Sequence, residues 1–130
     1  MIAVEEIQHE TREAWLETRK AMIGGSDAPQ VVGVRPSKFA TWAEKSGLLH
    51  GERDVGEAAE WGIRLEPVIA AAAAERYGRK VEPSKPFTIT RRKDKPHIGC
   101  SLDAKIWMPE REDPGVLQIK ATANSFITLI

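Results

Sequence analysis

Apolar positions along this chain keep a helical rhythm as far as Gly78 and a strand rhythm after it. Ile7, Ala14, Trp15, Ala21 and Met22 fall among good helix formers and predict an amphipathic helix over 5–22, ended by Gly24 and Gly25. Ser26 is placed to cap a short helix over 27–32, where Pro29 sits in the first turn and forfeits no needed amide bond, and Gly33 closes it. Ser37 predicts a further N-cap, opening a helix over 38–46 that Gly47 stops. A long helix is predicted over 55–77 from Ala58, Ala59, Trp61, Leu65, Ile69 and the run Ala70–Ala74, with a kink or break at Glu66 because Pro67 follows it. Beyond Gly78 the expected strands are 80–82, 87–91, 98–108 and 116–121, with turns over 93–96 and 110–115.

This organisation predicts one mixed α/β (α+β) domain across 1–130, its N-terminal helices (about 5–78) followed by a mainly antiparallel sheet (about 79–122). A chain of 130 residues has room for one core and one site. No apolar run approaches the roughly 20 residues of a membrane span, so no membrane partner is expected. The acidic start MIAVEEIQHE lacks the layout of a secretory signal, and a lone Cys100 cannot close an internal disulfide, which together favour a cytoplasmic setting. Lys plus Arg and Asp plus Glu number 19 each, so net charge neither demands nor excludes nucleic acid. The basic run Arg91, Arg92, Lys93 and Lys95 reads equally as a solvated hairpin tip or a phosphate contact.

Candidate chemistry lies on the strands. In Leu117-Gln118-Ile119-Lys120 a period of two puts Gln118 and Lys120 on one face and turns Leu117 and Ile119 toward a core. If Asp103 lies on a neighbouring hairpin strand, its carboxylate can approach both Gln118 and Lys120. Glu66 would add a carboxylate from the long helix. Such oxygen ligands suit Mg2+ or Mn2+, an ion that acidifies a water and offsets charge on a phosphoryl group, with Lys120 assisting. Standing alone, an aspartate and a polar-x-Lys strand are more readily explained by a solvated sheet face.

The flanking blocks add a resemblance. Trp15, Arg19 and Ile23-Gly24-Gly25-Ser26-Asp27-Ala28, then Glu60-Trp61-Gly62-Ile63-Arg64-Leu65-Glu66-Pro67, then Ser101-Leu102-Asp103-Ala104 and Leu117-Gln118-Ile119-Lys120, resemble in order the motifs of the YqaJ-like viral recombinase family, which includes the phage lambda exonuclease group. The last two blocks are similar to the halves of the PD-(D/E)XK nuclease motif. This resemblance implies a restriction-endonuclease-like core and a Mg2+- or Mn2+-dependent nuclease, an exonuclease acting on linear duplex DNA ends in phage-type recombination within the host cytoplasm. It implies catalytic positions at Glu66, Asp103, Gln118 and Lys120, metal ligands at Glu66, Asp103 and Gln118, and DNA phosphate contacts at Arg19, Ser26 and Ser101. It also implies, as companions, further copies of the chain and a single-strand annealing protein. For Ser26 a glycine-rich turn feeding a helix N-terminus supports a phosphate contact on physical grounds, whereas simple capping is the rival explanation and the preferred one without the other blocks.

Two departures qualify the resemblance. Gln118 stands where the family usually has glutamate, which removes one negative charge from the ion site and leaves open a catalytically silent DNA-binding or recombination module. After Lys120 the family continues with a helix and strand, whereas this sequence ends in the apolar Phe126–Ile130, so the core is expected to lack them. A plain interaction domain with no nucleic-acid role is a third reading. Trp15, Trp42, Trp61 and Trp107 are expected as core or interface anchors, His9 and His50 as solvated, His97 as structural, and Cys100 as a buried strand residue with no base to activate it.

Overall fold

Val4-Glu5-Glu6-Ile7-Gln8 alternates in exposure along its length. In the computed structural model, which describes residues 2–34, 37–48, 56–121 and 127–129, it is a strand and not the first turns of a helix. The elements run β1 (Val4–Gln8), α1 (Arg12–Lys20), α2 (Ala28–Val31), α3 (Lys38–Lys45), α4 (Glu57–Tyr77), β2 (Val81–Pro83), β3 (Thr88–Arg92), β4 (Gly99–Cys100), β5 (Ala104–Ile106), β6 (Gly115–Leu117), β7 (Ile119–Ala121) and β8 (Ile127–Leu129). Helices and antiparallel sheets are thus mixed, but a strand precedes the helices. The expected helix over 5–22 shortens to α1, because Thr11 accepts a hydrogen bond from the Ala14 amide and so starts the helix there. The Arg35-Pro36 turn, His50 and Val55 lie outside the described residues.

The chain divides into two compact units. Unit 1 comprises Met1–Glu52 and Lys85–Ser101. Its sheet has the order β1-β3-β4, antiparallel throughout, with Ile7 opposite Ile89 and Arg91 opposite both Glu5 and Gly99. Ile89 is fully buried and Met22 and Ala43 nearly so. Burying an isoleucine in this way contributes about 2–3 kcal/mol. Ile23 adds a short parallel bridge to Ile98, its amide bonding the His97 carbonyl at 2.7 Å, which ties the glycine turn after α1 to the sheet. Gly99 makes that approach feasible: a Cβ there would meet the Met22 side chain and stand 2.8 Å from the Thr90 carbonyl.

Unit 2 comprises Arg53–Ser84 and Leu102–Ile130. One sheet has the order β2-β5-β6, and β7 pairs separately with β8, placing residues 127–129 beside Lys120. Both sheets are antiparallel. Ile69, Ala70 and Ala73 of α4 pack with Ala104, Ile106, Leu117 and Ile119, and Val81 joins them. α4 runs unbroken through Pro67, contrary to the kink or break expected at Glu66. Alanine-rich sequence on the C-terminal side favours helix, and Ile63, whose carbonyl loses its partner to the proline, is exposed so that water can satisfy it. Gly78, at φ 58°, ends the helix, and the Arg79 amide bonds the Ala74 carbonyl at 3.1 Å.

Two expected strands are split. The stretch 98–108 becomes β4 and β5, which belong to different units, and 116–121 becomes β6 and β7, interrupted at Gln118. Filling the space at Gly99 gives the first prediction. Gly99→Ala should destabilise the protein by about 2 kcal/mol or more through overpacking against Met22 and the Thr90 carbonyl. Urea unfolding measures this, and an unchanged midpoint would refute the close approach.

Candidate functional site

The pairing of Ala104 with Leu117 in the β5–β6 ladder sets the residues just beyond it, Asp103 and Gln118, opposite one another. There the ladder stops. The Ile119 amide donates to Asp103 Oδ2 at 2.7 Å, and Gln118 Nε2 donates to the same oxygen at 2.7 Å. The main chain of Asp103 is held from the other side, its carbonyl accepting from the Ser84 amide at 3.0 Å. Leu117 and Ile119 remain buried on either side of the half-buried Gln118. The inward and outward alternation expected across 117–120 therefore survives the interruption.

Glu66 reaches this region from α4. It precedes Ile69, Ala70 and Ala73 by three, four and seven residues, which is the spacing of one helix face, and those three pack on the hairpin core. Burial raises the Glu66 carboxyl above its ordinary range, and the negative charge of Asp103 raises it further. Two carboxylates thus bear on one partly buried region. Lys120 follows Gln118 by two residues on β7, exposed, with Thr128 of β8 as its strand partner. Among the described residues no group of three or more histidine, cysteine, aspartate and glutamate side chains is arranged to hold a metal ion. The neighbour that completes the pair of acids is the Gln118 amide.

The residues expected to contact phosphate belong to unit 1. Arg19 lies half-buried with its guanidinium 4.6 Å from the centre of the Trp15 ring. Ser26 is exposed and does not cap α2; Asp27 holds the cap position, without a side-chain capping bond. The Asp27 carboxylate turns back instead, accepting from the Gly24 amide at 2.9 Å and pairing with Lys45 at 3.2 Å. Lys45 in turn donates to the Arg19 carbonyl at 2.9 Å. This knot of Gly24, Asp27, Lys45 and Arg19 went unforeseen, since nothing in the spacing of Asp27 and Lys45 announces that they meet. Ser101 is exposed at the boundary of the units.

Other expectations sort themselves by contact. Arg91 pairs with Glu5 at 2.7 Å and Arg92 with Asp94 at 2.6 Å, so half of the basic run is already matched. His9 is not simply solvated: its ring bonds the Phe87 carbonyl at 3.0 Å and the Thr18 hydroxyl at 2.8 Å. Trp42 and Trp61 are exposed, whereas Trp15 and Trp107 are half-buried, the latter under the Lys80 ammonium at 4.3 Å. Burial pushes the Cys100 thiol up, away from the thiolate a nucleophile needs.

Unit 2 therefore belongs to a general class: a helix and an antiparallel hairpin that bring acidic and amide side chains together beside an exposed lysine. The model of the YqaJ-like viral recombinase domain matches residues 14–128, and the chain belongs to that family. It is also similar to the uncharacterized protein YqaJ of Bacillus subtilis (strain 168), with 36% identity over 77 residues, or 58% of this chain and 24% of that protein. No solved structure matches it. Among the described residues no helix is long and apolar enough to cross a membrane.

The raised Glu66 carboxyl carries a signed consequence. The folded protein holds the Glu66 proton more tightly than the unfolded chain, so ionising it costs stability as pH rises from the ordinary value of 4.5 through the raised one. In chelator, Glu66→Gln should therefore melt higher than wild type near neutral pH. The difference should vanish well below pH 4.5, where Glu66 is protonated in both the folded and the unfolded protein. Scanning calorimetry at both pH values checks it; a lower neutral-pH melting point for the variant would count against the crowding of Glu66 and Asp103.

Proposed function

We propose that this chain is a divalent-cation-dependent deoxyribonuclease of the PD-(D/E)XK kind, with a restriction-endonuclease-like core, that acts on linear duplex DNA ends during phage-type recombination. The observation that carries the reading is the junction of Asp103 with Gln118 across the hairpin, with Glu66 close enough to feel the Asp103 charge. Membership of a viral recombinase family supports the same substrate class.

The donors fit a hard cation. Glu66 and Asp103 offer carboxylate oxygens, Gln118 offers an amide carbonyl, and the mutual repulsion of the two acids is what a positive ion relieves. When bound, Mg2+ or Mn2+ supplies Lewis-acid charge to the scissile phosphoryl group and makes water more acidic. Lys120 orients the attacking water and stabilises negative charge on the phosphoryl oxygens from its exposed place on β7. Arg19, Ser26 and Ser101 supply phosphate contacts that position the duplex without reading its sequence. Further copies of the chain and a single-strand annealing protein are the companions this role calls for.

With either Mg2+ or Mn2+ present, wild type should degrade 5′-phosphorylated linear duplex DNA in preference to circular duplex. Asp103→Ala and Lys120→Ala should each reduce the rate about a hundredfold or more, measured at a temperature where circular dichroism shows each variant still folded. Equal digestion by wild type and both variants would sink the proposal. Gln118 in place of an acid favours a second reading, a silent DNA-binding module. Duplex binding at low salt with no cleavage across the full range of both ions is its signature.

A further inference from the structure

Chemistry decides which end of the Gln118 amide faces Asp103. An ionised carboxylate only accepts hydrogen bonds, so the amide must present its nitrogen. Nε2 lies 2.7 Å from Oδ2, and the Ile119 amide reaches the same oxygen at 2.7 Å. One carboxylate oxygen is thus held twice, by a side chain and by the main chain next to it. The other, Oδ1, has no hydrogen-bond partner among the described residues. A glutamate at 118 could offer no donor there and would add a negative charge against Asp103.

From this arrangement we infer that Gln118 is a positioning residue acting through its amide nitrogen: it clamps Oδ2 of Asp103 before any cation arrives, leaves Oδ1 for the cation, and keeps the clamp when the cation is bound. The inference rests on the proposed ion site in unit 2 and deepens it. It gives the glutamine a task of its own. An acid at this position would need a cation to quiet its repulsion with Asp103, whereas the amide orders the hairpin unaided. The site then trades attraction for a ready-made geometry, since one ligand charge is absent but less reorganisation is required on binding.

The test uses the whole chain labelled with 15N, first in chelator and then with saturating Mg2+. Comparison with Gln118→Leu assigns the Gln118 side-chain amide. One Nε2 proton should resonate downfield and exchange with water about tenfold more slowly than exposed glutamine amides. Both properties should persist with Mg2+, while backbone amides around Asp103 and Glu66 shift. In chelator Gln118→Leu should melt about 4 °C or more below wild type, as expected for losing a hydrogen bond to a charged group. Gln118→Glu should also melt lower in chelator and regain its loss in Mg2+. A Gln118 amide that exchanges like an exposed one in chelator, or an unchanged melting point in Gln118→Leu, overturns the clamp. Mg2+-dependent shifts accompanied by loss of the protected amide overturn the positioning role and spare the ion site. No Mg2+-dependent shift anywhere in unit 2 overturns the ion site, and the cation half of this inference with it.

Discussion

The carboxylate of Asp103 is the point on which unit 2 turns. By taking the Ile119 amide, Oδ2 ends one β ladder and lets the next begin, which is why β6 stops at Leu117 and β7 starts at Ile119. A backbone donor that leaves its ladder inside a partly buried hairpin must find another acceptor or cost about 1–3 kcal/mol. Here the acceptor carries charge, and such a hydrogen bond is worth roughly twice a neutral one. The interruption is therefore compatible with stability. Leu117 and Ile119 both stay in the core with α4, so the hairpin changes its pairing without changing its facing.

That same carboxylate sets the electrostatics. α4 packs through Ile69, Ala70 and Ala73, and helical spacing then brings Glu66 along on the same face toward Asp103. The helix cannot keep its core contacts and retire the acid at once. Its repulsion with Asp103 is written in the raised Glu66 carboxyl, where burial is the larger cause and the neighbouring charge the smaller. Acidic pairs of this sort mark sites that meet a cation or a proton, although ion-pair networks also shift carboxyls. Among the described residues no ion pair joins Glu66 or Asp103 to a basic side chain, so no lysine or arginine there offsets their repulsion.

Much of unit 2 was legible in the sequence because its signals are local. The alternation in Leu117-Gln118-Ile119-Lys120, the helix formers before Gly78 and the turn between the two hairpin strands need no distant partner to be read. Pro67 misled because the proline rule describes an average helix, and this one has alanines after the proline and an exposed Ile63 whose carbonyl solvent can reach. β1 was missed for the opposite reason. Val4 to Gln8 becomes a strand by pairing with residues 80 to 88 positions away, from Gln8 with Thr88 to Val4 with Arg92, and helix propensity at its glutamates spoke for the wrong state. The split at Gln118 was equally out of reach, since it depends on a side chain just ahead of β5 intercepting a backbone amide.

Unit 1 constrains how a chain with no net charge could hold a polyanion. Arg91 and Arg92 are matched by Glu5 and Asp94, and Lys45 by Asp27, so those cations bring little net field to an approaching phosphate. The Gly24 amide, which a glycine turn might otherwise present to an anion, is occupied by Asp27. Attraction must then come from side chains outside these pairs. Arg19 meets that requirement while its guanidinium lies over Trp15, a contact that restrains the charge without neutralising it, unlike a carboxylate partner. Ser26 and Ser101 are exposed neutral donors, able to bond phosphate oxygens but adding nothing to a long-range field. A duplex bound this way would depend on a few placed contacts more than on bulk charge, and its affinity should fall with salt along a shallow slope set by the small number of phosphates neutralised.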